Sequence, residues 1–175
     1  MASHQLIKQN KPYFRGISRC KLTTVSLVLF HVVLLGPPVA DPARAADAIT
    51  PIFGRVVGVH DGDTITVRTQ TNQTIKVRLL GIDAPELGQP FGTKSKQALS
   101  NLVFGKDVLI ASSGNDRYAR VLGDIRVGQI WANQLMLQLG MAWHYSKYDS
   151  RQELAAAEFE ARSQRRGLWS DPKAK

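Results

Sequence analysis

The segment Val77–Glu86 places one cation and two acids within a few residues of each other. Arg78 falls on the polar side of an alternating apolar stretch, so we expect it to point away from the core of a strand. Asp83 and Glu86 follow in a loop that begins at Gly81. A compact charged cluster of this kind is costly to form unless it holds a partner, and the suitable partners are a metal ion, a phosphate, or both.

Two further charged clusters fall at the ends of predicted strands. Asp61–Thr64 reads D-G-D-T, and Asp116–Arg120 reads D-R-Y-A-R. Taken alone, the first is most simply a turn, the second a basic loop, and Arg78 a solvated charge. Because all three clusters occur at element ends of one small domain, a shared site is favoured.

The elements that would position these clusters are mostly short strands. Alternating apolar residues and turn signals predict a three-strand antiparallel meander. Its strands are Phe53–His60, Thr64–Thr69 and Thr74–Leu80, with turns at Asp61-Gly62 and Gln70–Gln73.

The pattern then changes to helical periodicity over Phe91–Phe104, ended by Gly105. The remaining predicted elements are strands Lys106–Ala111 and Arg120–Val127, a polar loop Ser112–Asp116, a helix Ile130–Leu139 and a last helix from the capping box Ser150–Glu153 to a glycine cap at Gly167. This order indicates a mainly β, α+β fold: a five-stranded OB-fold Greek-key barrel with about three helices.

The first 45 residues have the features of a secretory signal peptide. Residues 1–21 carry five basic residues and no acid, the apolar run Leu22–Leu35 follows, and Ala43-Arg44-Ala45 offers a cleavage site. The alternative is an uncleaved anchor that would leave the protein on the membrane, facing away from the cytoplasm. The domain itself is expected over residues 46–175, secreted or periplasmic if the signal is cleaved.

Charge and cysteine content set weak limits on function. The chain has a formal net charge of +9, but residues 46–175 hold 17 basic and 13 acidic residues, a net charge of +4. That value is compatible with a polyanionic partner. Cys20 is the one cysteine, so the domain must be stable without a disulfide. With only His60 and His144 in the domain, zinc spacing is absent, and the carboxylates favour a hard cation.

Taken together, these motifs resemble those of the staphylococcal-nuclease-like (thermonuclease) family. The resemblance extends from about Val56 to Trp169. It is carried by D-G-D-T at 61–64, V-R-L-L-G-I-D-A-P-E at 77–86, D-R-Y-A-R at 116–120, G-M-A-W at 140–143 and R-R-G-L-W at 165–169. It implies an exported calcium-dependent nuclease that cleaves DNA and RNA at the 5′ P–O bond and leaves 3′-phosphates.

The resemblance also implies a role for each matching residue. Arg78 and Arg120 would clamp the phosphate, and Glu86 would be the general base. One Ca²⁺ ion would be held by Asp63, Asp83 and the backbone carbonyl of Ala84, with Asp61 as a supporting acid. Tyr145 would pack near the nucleotide. Independently of the resemblance, Tyr118 and Tyr145 are aromatics in a basic region, which suits single strands because bases stack on rings. Ala84 and Ala119 depart from the threonine and glycine that are common in the family.

Two functional classes remain open from the sequence. The first is this nuclease, with single-stranded DNA and RNA as substrates and no stable protein partner. The second is a non-catalytic OB-fold module that binds nucleic acid or protein. The presence of all five residues Arg78, Glu86, Arg120, Asp63 and Asp83 favours the enzyme.

Overall fold

The computed structural model describes residues 51–171, and the predicted signal segment, residues 1–45, lies outside the described residues. Eight strands and three helices follow in chain order. The strands are β1 (Ile52–Val59), β2 (Thr64–Thr69), β3 (Thr74–Leu79), β4 (Ile82–Asp83), β5 (Asp107–Asn115), β6 (Val121–Val127), β7 (Ile130–Trp131) and β8 (Trp143–His144). The helices are α1 (Gly92–Val103), α2 (Ala132–Gln138) and α3 (Gln152–Ser163), followed by a 3₁₀ helix, Gly167–Ser170.

Five of these strands close into a barrel, which confirms the predicted OB-fold. The sheet order is β3-β2-β1-β5-β6, and a parallel pairing between β3 and β6 closes the circle. That seam pairs Val77 with Val121 and Arg78 with Leu122. Alternating residues of each strand point inward, so Val77 and Leu79 are fully buried while Arg78 lies on the outer face.

The helices cover the open parts of the barrel and complete its core. Leu99 and Val103 of α1, Met136 of α2 and Leu154 of α3 are fully buried in the same apolar cluster as the inward strand residues. Each Å² of apolar surface that is removed from water stabilises the fold by about 25 cal/mol. Because the domain has no disulfide, this cluster is the main source of its stability.

The structure differs from the prediction at four places. Ser112–Asn115 continues β5 rather than forming a loop, and Ile130–Trp131 pairs with β6 before α2 begins. The capping box is wrong: the residue before α3 is Arg151, and no side chain caps the helix. The helix also ends earlier than Gly167, at Ser163, and Arg165 two residues beyond it has a left-handed φ of 53°.

Two very short strands, β4 and β8, form a separate antiparallel pair that the sequence did not indicate. Ile82 pairs with His144 and Asp83 with Trp143. This pair joins the loop after β3 to the segment before α3. Among residues 51–171, no helix is both long and apolar enough to span a bilayer.

Candidate active site

The hairpin between β1 and β2 presents the first acidic residues. His60 N–H donates to Thr64 O at 2.9 Å and closes the turn, while the Asp61 carboxylate accepts Asp63 N–H at 3.0 Å. Gly62 is buried at this turn, and no larger residue fits there. A Cβ at this position would lie 1.8 Å from Ser95 Oγ and 2.7 Å from Ala84 Cβ. The glycine therefore lets the hairpin pack directly against α1 and the loop after β4.

Arg78 is the centre of the charged cluster. One guanidinium nitrogen donates to Asp63 Oδ1 at 2.9 Å, and another donates to Asp83 Oδ1 at 2.7 Å. The other oxygen of Asp63 accepts the backbone N–H of Ala84 at 3.0 Å. The structure therefore brings together four residues that the sequence assigned to one site, with Asp61 one hydrogen bond away.

This cluster is asymmetric in its exposure to water. The side chain of Asp63 is 5% exposed, whereas that of Asp83 is 50% exposed. Burial raises the pKa of Asp63 to about 6, and the charge of Arg78 only partly opposes that effect. Burial of Arg78 works against its charge, but the neighbouring acids, Asp63 first, outweigh this effect and raise its pKa. Arg78 therefore stays a cation at any physiological pH.

The loop between β5 and β6 holds the second arginine. Asp116 Oδ1 accepts the backbone N–H groups of Tyr118 and Arg120, each at 2.9 Å, and its Oδ2 accepts Arg120 Nε at 2.7 Å. These bonds outweigh the opposing effect of burial and lower the pKa of Asp116. Ala119 has a φ of 60° within this turn. Ala119, where glycine is common in the family, thus adopts a left-handed conformation, and Asp116 fixes the direction of Arg120.

One cleft of about 640 Å³ joins these two parts of the site. Arg78, Asp83 and Arg120 all line it, and Arg120 Nη1 lies 3.5 Å from Thr64 Oγ1. The barrel seam explains this placement, because β3 and β6 run side by side and Arg120 immediately precedes β6. Two guanidinium groups in one cleft can bind the same phosphate.

Tyrosines form the remaining wall of the cleft. Tyr118, 65% exposed, has the guanidinium groups of Arg117 and Arg120 at 4.8 and 5.5 Å from its ring centre. Tyr145 and Tyr148 contact each other edge to face, with ring centres 4.7 Å apart. Tyr118 and Tyr145 were predicted from the sequence, whereas Tyr148, which lines the cleft beside them, was not.

Glu86 is not among the residues that line the cleft. It is exposed, in the loop between β4 and α1. Its backbone is nevertheless tightly held: Glu86 N–H donates to Gln89 Oε1 at 3.0 Å, and Gln89 N–H donates to Glu86 O at 2.8 Å. A Cβ on Gly92 would lie only 1.9 Å from Glu86 O, so the glycine at the start of α1 allows this close packing.

The donor set suits a hard cation such as Ca²⁺. Within residues 51–171, no three His, Cys, Asp or Glu side chains are grouped as a metal site. Asp63 and Asp83 nevertheless both accept hydrogen bonds from Arg78, and the backbone N–H of Ala84 donates to Asp63. Two carboxylates and a carbonyl leave several of the about six to eight oxygen positions of Ca²⁺ for water and phosphate. No nitrogen or sulfur donor competes within this set.

Two buried polar groups outside the cleft hold its framework. Asn133, fully buried in α2, donates to Leu80 O at 2.9 Å and accepts Ile125 N–H at 2.9 Å, so it ties the end of β3 to β6. Arg151 bonds both Asp124 of β6 and Asp149. Neither Asn133 nor Asp149 was predicted from the sequence. For Asn133, its position as a polar residue on the apolar side of a predicted helix was a signal that could have indicated it.

Comparisons with known proteins agree with this geometry. Residues 76–171 match the family described as staphylococcal nuclease homologue. A Haemophilus influenzae protein named uncharacterized endonuclease is 45% identical over 117 residues, which cover 67% of this chain and 66% of that protein. An Escherichia coli protein of the same name is 43% identical over 74% of this chain and 82% of its own length. A micrococcal nuclease of Shigella flexneri is 45% identical over 69% of this chain and 75% of its own length.

Proposed function

This chain belongs to the staphylococcal nuclease family and is a nuclease, and we propose that it is an exported, calcium-dependent enzyme that hydrolyses DNA and RNA phosphodiester bonds. The bond cleaved is the 5′ P–O bond, which leaves a 3′-phosphate. The observation that carries this proposal is the placement of Arg78 and Arg120 on one cleft, with Asp63 and Asp83 bonded to Arg78. The proposed residue roles are those implied by the family resemblance.

The two arginines bind the scissile phosphate in this scheme. Negative charge on the phosphate oxygens increases toward the transition state, and guanidinium groups already fixed in place stabilise that charge without reorganising. Asp116 fixes Arg120 through Nε and one terminal nitrogen, which leaves Nη1 near Thr64 for the substrate. Arg78 similarly arrives already oriented by Asp63 and Asp83.

Glu86 is the proposed general base. Its carboxylate removes a proton from water as the water oxygen bonds to phosphorus, and the P–O5′ bond then breaks as the 5′ oxygen takes a proton from solvent water. A positioned base contributes about 10²–10⁴-fold to a reaction of this kind. The hydrogen bonds to Gln89 hold the backbone that carries this base beside the start of α1.

Asp63, Asp83 and the carbonyl of Ala84 are the proposed calcium ligands, with Asp61 in support. When bound, the ion supplies a positive charge that binds a phosphate oxygen and acidifies a bound water. Asp61 fixes the backbone of Asp63. Thr64 Oγ1 donates to Asp63 Oδ1 at 2.9 Å, so the carboxylate is oriented before any ligand arrives.

Exposed tyrosine rings along the cleft favour single-stranded substrates. Bases of a single strand can stack on aromatic side chains, and such stacking contributes about 1–3 kcal/mol per base. Tyr118 and Tyr145 are the proposed contacts, since both are exposed and both line the cleft. Export would proceed through the N-terminal signal, and N-terminal sequencing of the exported protein tests cleavage after Ala45.

The decisive experiment compares cleavage of single-stranded DNA and RNA by the purified protein in calcium and in a calcium chelator. We expect cleavage only in calcium, and 3′-phosphate ends in the products. Glu86→Gln should lose most activity while keeping its fold and calcium affinity. Wild-type rates in Glu86→Gln would disprove the assignment of the base.

The same assay separates the enzyme from a non-catalytic binding module. A binding module would retain the oligonucleotide in calcium without cutting it. Arg120→Lys gives the finer test, since an ammonium group cannot reproduce the paired donors of a guanidinium. We expect severe loss of turnover, and normal turnover would place the phosphate contact elsewhere.

A further inference from the structure

A second groove lies on the outer face of the barrel, away from the residues of the cleft. It has a volume of about 580 Å³ and crosses the ends of four strands. Its charged lining residues are three arginines and one aspartate, namely Arg55, Arg68, Arg126 and Asp107. We call it the outer groove, and its residues take no part in the site described above.

The outer groove contains an unfavourable pair of like charges. Arg55 of β1 lies directly opposite Arg68 of β2 in the sheet register. Side chains directly opposite in antiparallel strands have Cβ atoms about 4.5–5.5 Å apart, and like charges there repel. Asp107 offers only a 3.8 Å contact to Arg55, and both side chains are mostly exposed. An anion bound between the arginines would remove this repulsion.

The groove also has exposed aromatic surface. Phe53, 46% exposed, lies two residues before Arg55 on the same face of β1. On the far side, the guanidinium of Arg126 lies 5.7 Å from the ring centre of Trp131. Basic side chains interleaved with an exposed ring match the chemistry of single-stranded nucleic acid, where phosphates and bases alternate.

The outer groove and the cleft lie on one continuous face of β6. Leu122 lines the cleft and Arg126 lines the groove. Residues four apart on a strand point to the same side, and the rise of about 3.3 Å per residue separates them by about 13 Å. At a per-strand rise of about 3.4 Å per nucleotide, roughly four nucleotides span that distance.

From this arrangement we propose that the outer groove binds the phosphate backbone of the same nucleic-acid strand whose scissile phosphate occupies the cleft. Arg68 and Arg126 are the main contacts, because neither has an acidic partner among the described ion pairs, whereas Arg55 is close to Asp107. This inference rests on the proposed function. It predicts that long strands bind more tightly than short ones for a reason that lies outside the cleft.

The test is a charge-reversed double variant, Arg68→Glu with Arg126→Glu, in the full chain. Binding of a fluorescein-labelled 20-nucleotide oligothymidine is measured by anisotropy in a calcium chelator over a range of salt concentrations. We expect at least a tenfold weaker affinity at low salt. The negative slope of log affinity against log salt should become shallower by about 1.4, because each of the two lost single-strand phosphate contacts contributes about 0.7.

A matched control carries the same change of net charge at Lys96→Glu with Arg165→Glu, which line neither the cleft nor the groove. We expect this control to bind within about twofold of wild type. Arg68→Gln with Arg126→Gln repeats the test without charge reversal, and thermal melting checks folding of every variant. A folded groove variant that binds the 20-nucleotide strand like the control overturns the proposal, as does a wild-type protein that does not bind it.

Cleavage assays separate this proposal from the proposed function. A thymidine dinucleotide reaches only the cleft, so kcat/KM for it should be unchanged in the groove variant, while KM for the long strand rises about tenfold. Equal losses on both substrates would place the arginines in the catalytic site instead. If wild type cleaves neither substrate in calcium, the proposed function fails, whereas the binding experiment in chelator still decides the groove.

Discussion

Adding one methyl group at Gly92 should displace the backbone of Glu86, the proposed base, and so slow the reaction. Gly92 is the first residue of α1 and lies against the backbone of Glu86. In Gly92→Ala, the added Cβ would lie 1.9 Å from Glu86 O and 3.0 Å from Leu87 Cα. Both contacts are with backbone atoms, so no side-chain rotation relieves them, and the loop must move.

The displacement can be estimated from the contact itself. Ordinary Cβ contacts begin at 3.4 Å, so the carbonyl oxygen has to move from 1.9 Å by about 1.5 Å. A misplacement of about 1 Å in a reacting group can cost about 10²-fold in rate. Because part of the shift will be taken up by the helix, we expect kcat for single-stranded DNA to fall by about 10- to 100-fold. KM should change little, since Arg78 and Arg120 stay in place.

The assay is steady-state cleavage of a single-stranded oligonucleotide in calcium, with a thermal melt of each protein. Gly88→Ala is the matched control: it lies in the same loop, and nothing lies within 4 Å of its Cβ position. We expect wild-type kcat for the control. A folded Gly92→Ala protein with kcat within twofold of wild type would refute the idea that the Glu86 backbone position limits the reaction.

Three further predictions concern the framework of the site. Ala119→Gly should stabilise the fold by about 0.5–1 kcal/mol because Ala119 has a φ of 60°; a denaturant titration measures this, with helical Ala98→Gly expected to destabilise. Asn133→Leu should destabilise by about 2–5 kcal/mol, since Ile125 N–H and Leu80 O lose their buried partner; Gln134→Leu is the control, and equal melting temperatures would contradict this role. Although burial opposes it, hydrogen bonding from Arg151 lowers the pKa of Asp149 below its ordinary 3.8. The ionised Asp149 therefore contributes its full stabilisation of the fold above pH 3.8, and this contribution is lost as the pH falls through the lower pKa of the folded state. Asp149→Asn should flatten the dependence of the unfolding free energy on pH below about 4.

The parts of the fold that depend on local pattern were predictable. Strands β1 to β3 alternate apolar and polar residues, and the Asp61-Gly62 turn between the first two is a standard hairpin signal. The charged cluster was also predictable in outline. Val77–Glu86 holds Arg78 and Asp83 close in sequence, so any strand-then-loop arrangement keeps them near each other.

The parts that depend on long-range contact were not predictable from pattern. Strands β4 and β8 have two residues each and therefore show no periodicity, yet their pairing places Tyr145 beside Gly81. Ser150 was a plausible cap from its spacing to Glu153. In the structure, the Asp149 carboxylate instead accepts the backbone N–H of Arg151 at 3.0 Å. The same carboxylate also binds the Arg151 side chain.

The position of Glu86 shows the same limit at the site itself. Its spacing from Arg78 predicted a role in one compact cluster, and the structure adds that the exposed loop that carries it packs on the start of α1. The partner in this packing is Gly92, and nothing in the sequence distinguishes it from the other thirteen of the fourteen glycines. Its importance follows from the approach of two backbones, which no local motif records.

The seam between β3 and β6 has a consequence for how activity arises during folding. The meander of β1 to β3 is local and pairs Thr64 with Arg78, so Asp63 comes beside that arginine, and Asp83 follows Arg78 by five residues. Arg120 reaches them only when Val77 pairs with Val121, which closes a long loop through α1 and β5. Contacts that close long loops form late. In the proposed mechanism, an unfinished barrel would hold the acidic half of the site without its second arginine, so we expect nuclease activity only after the step that completes the fold.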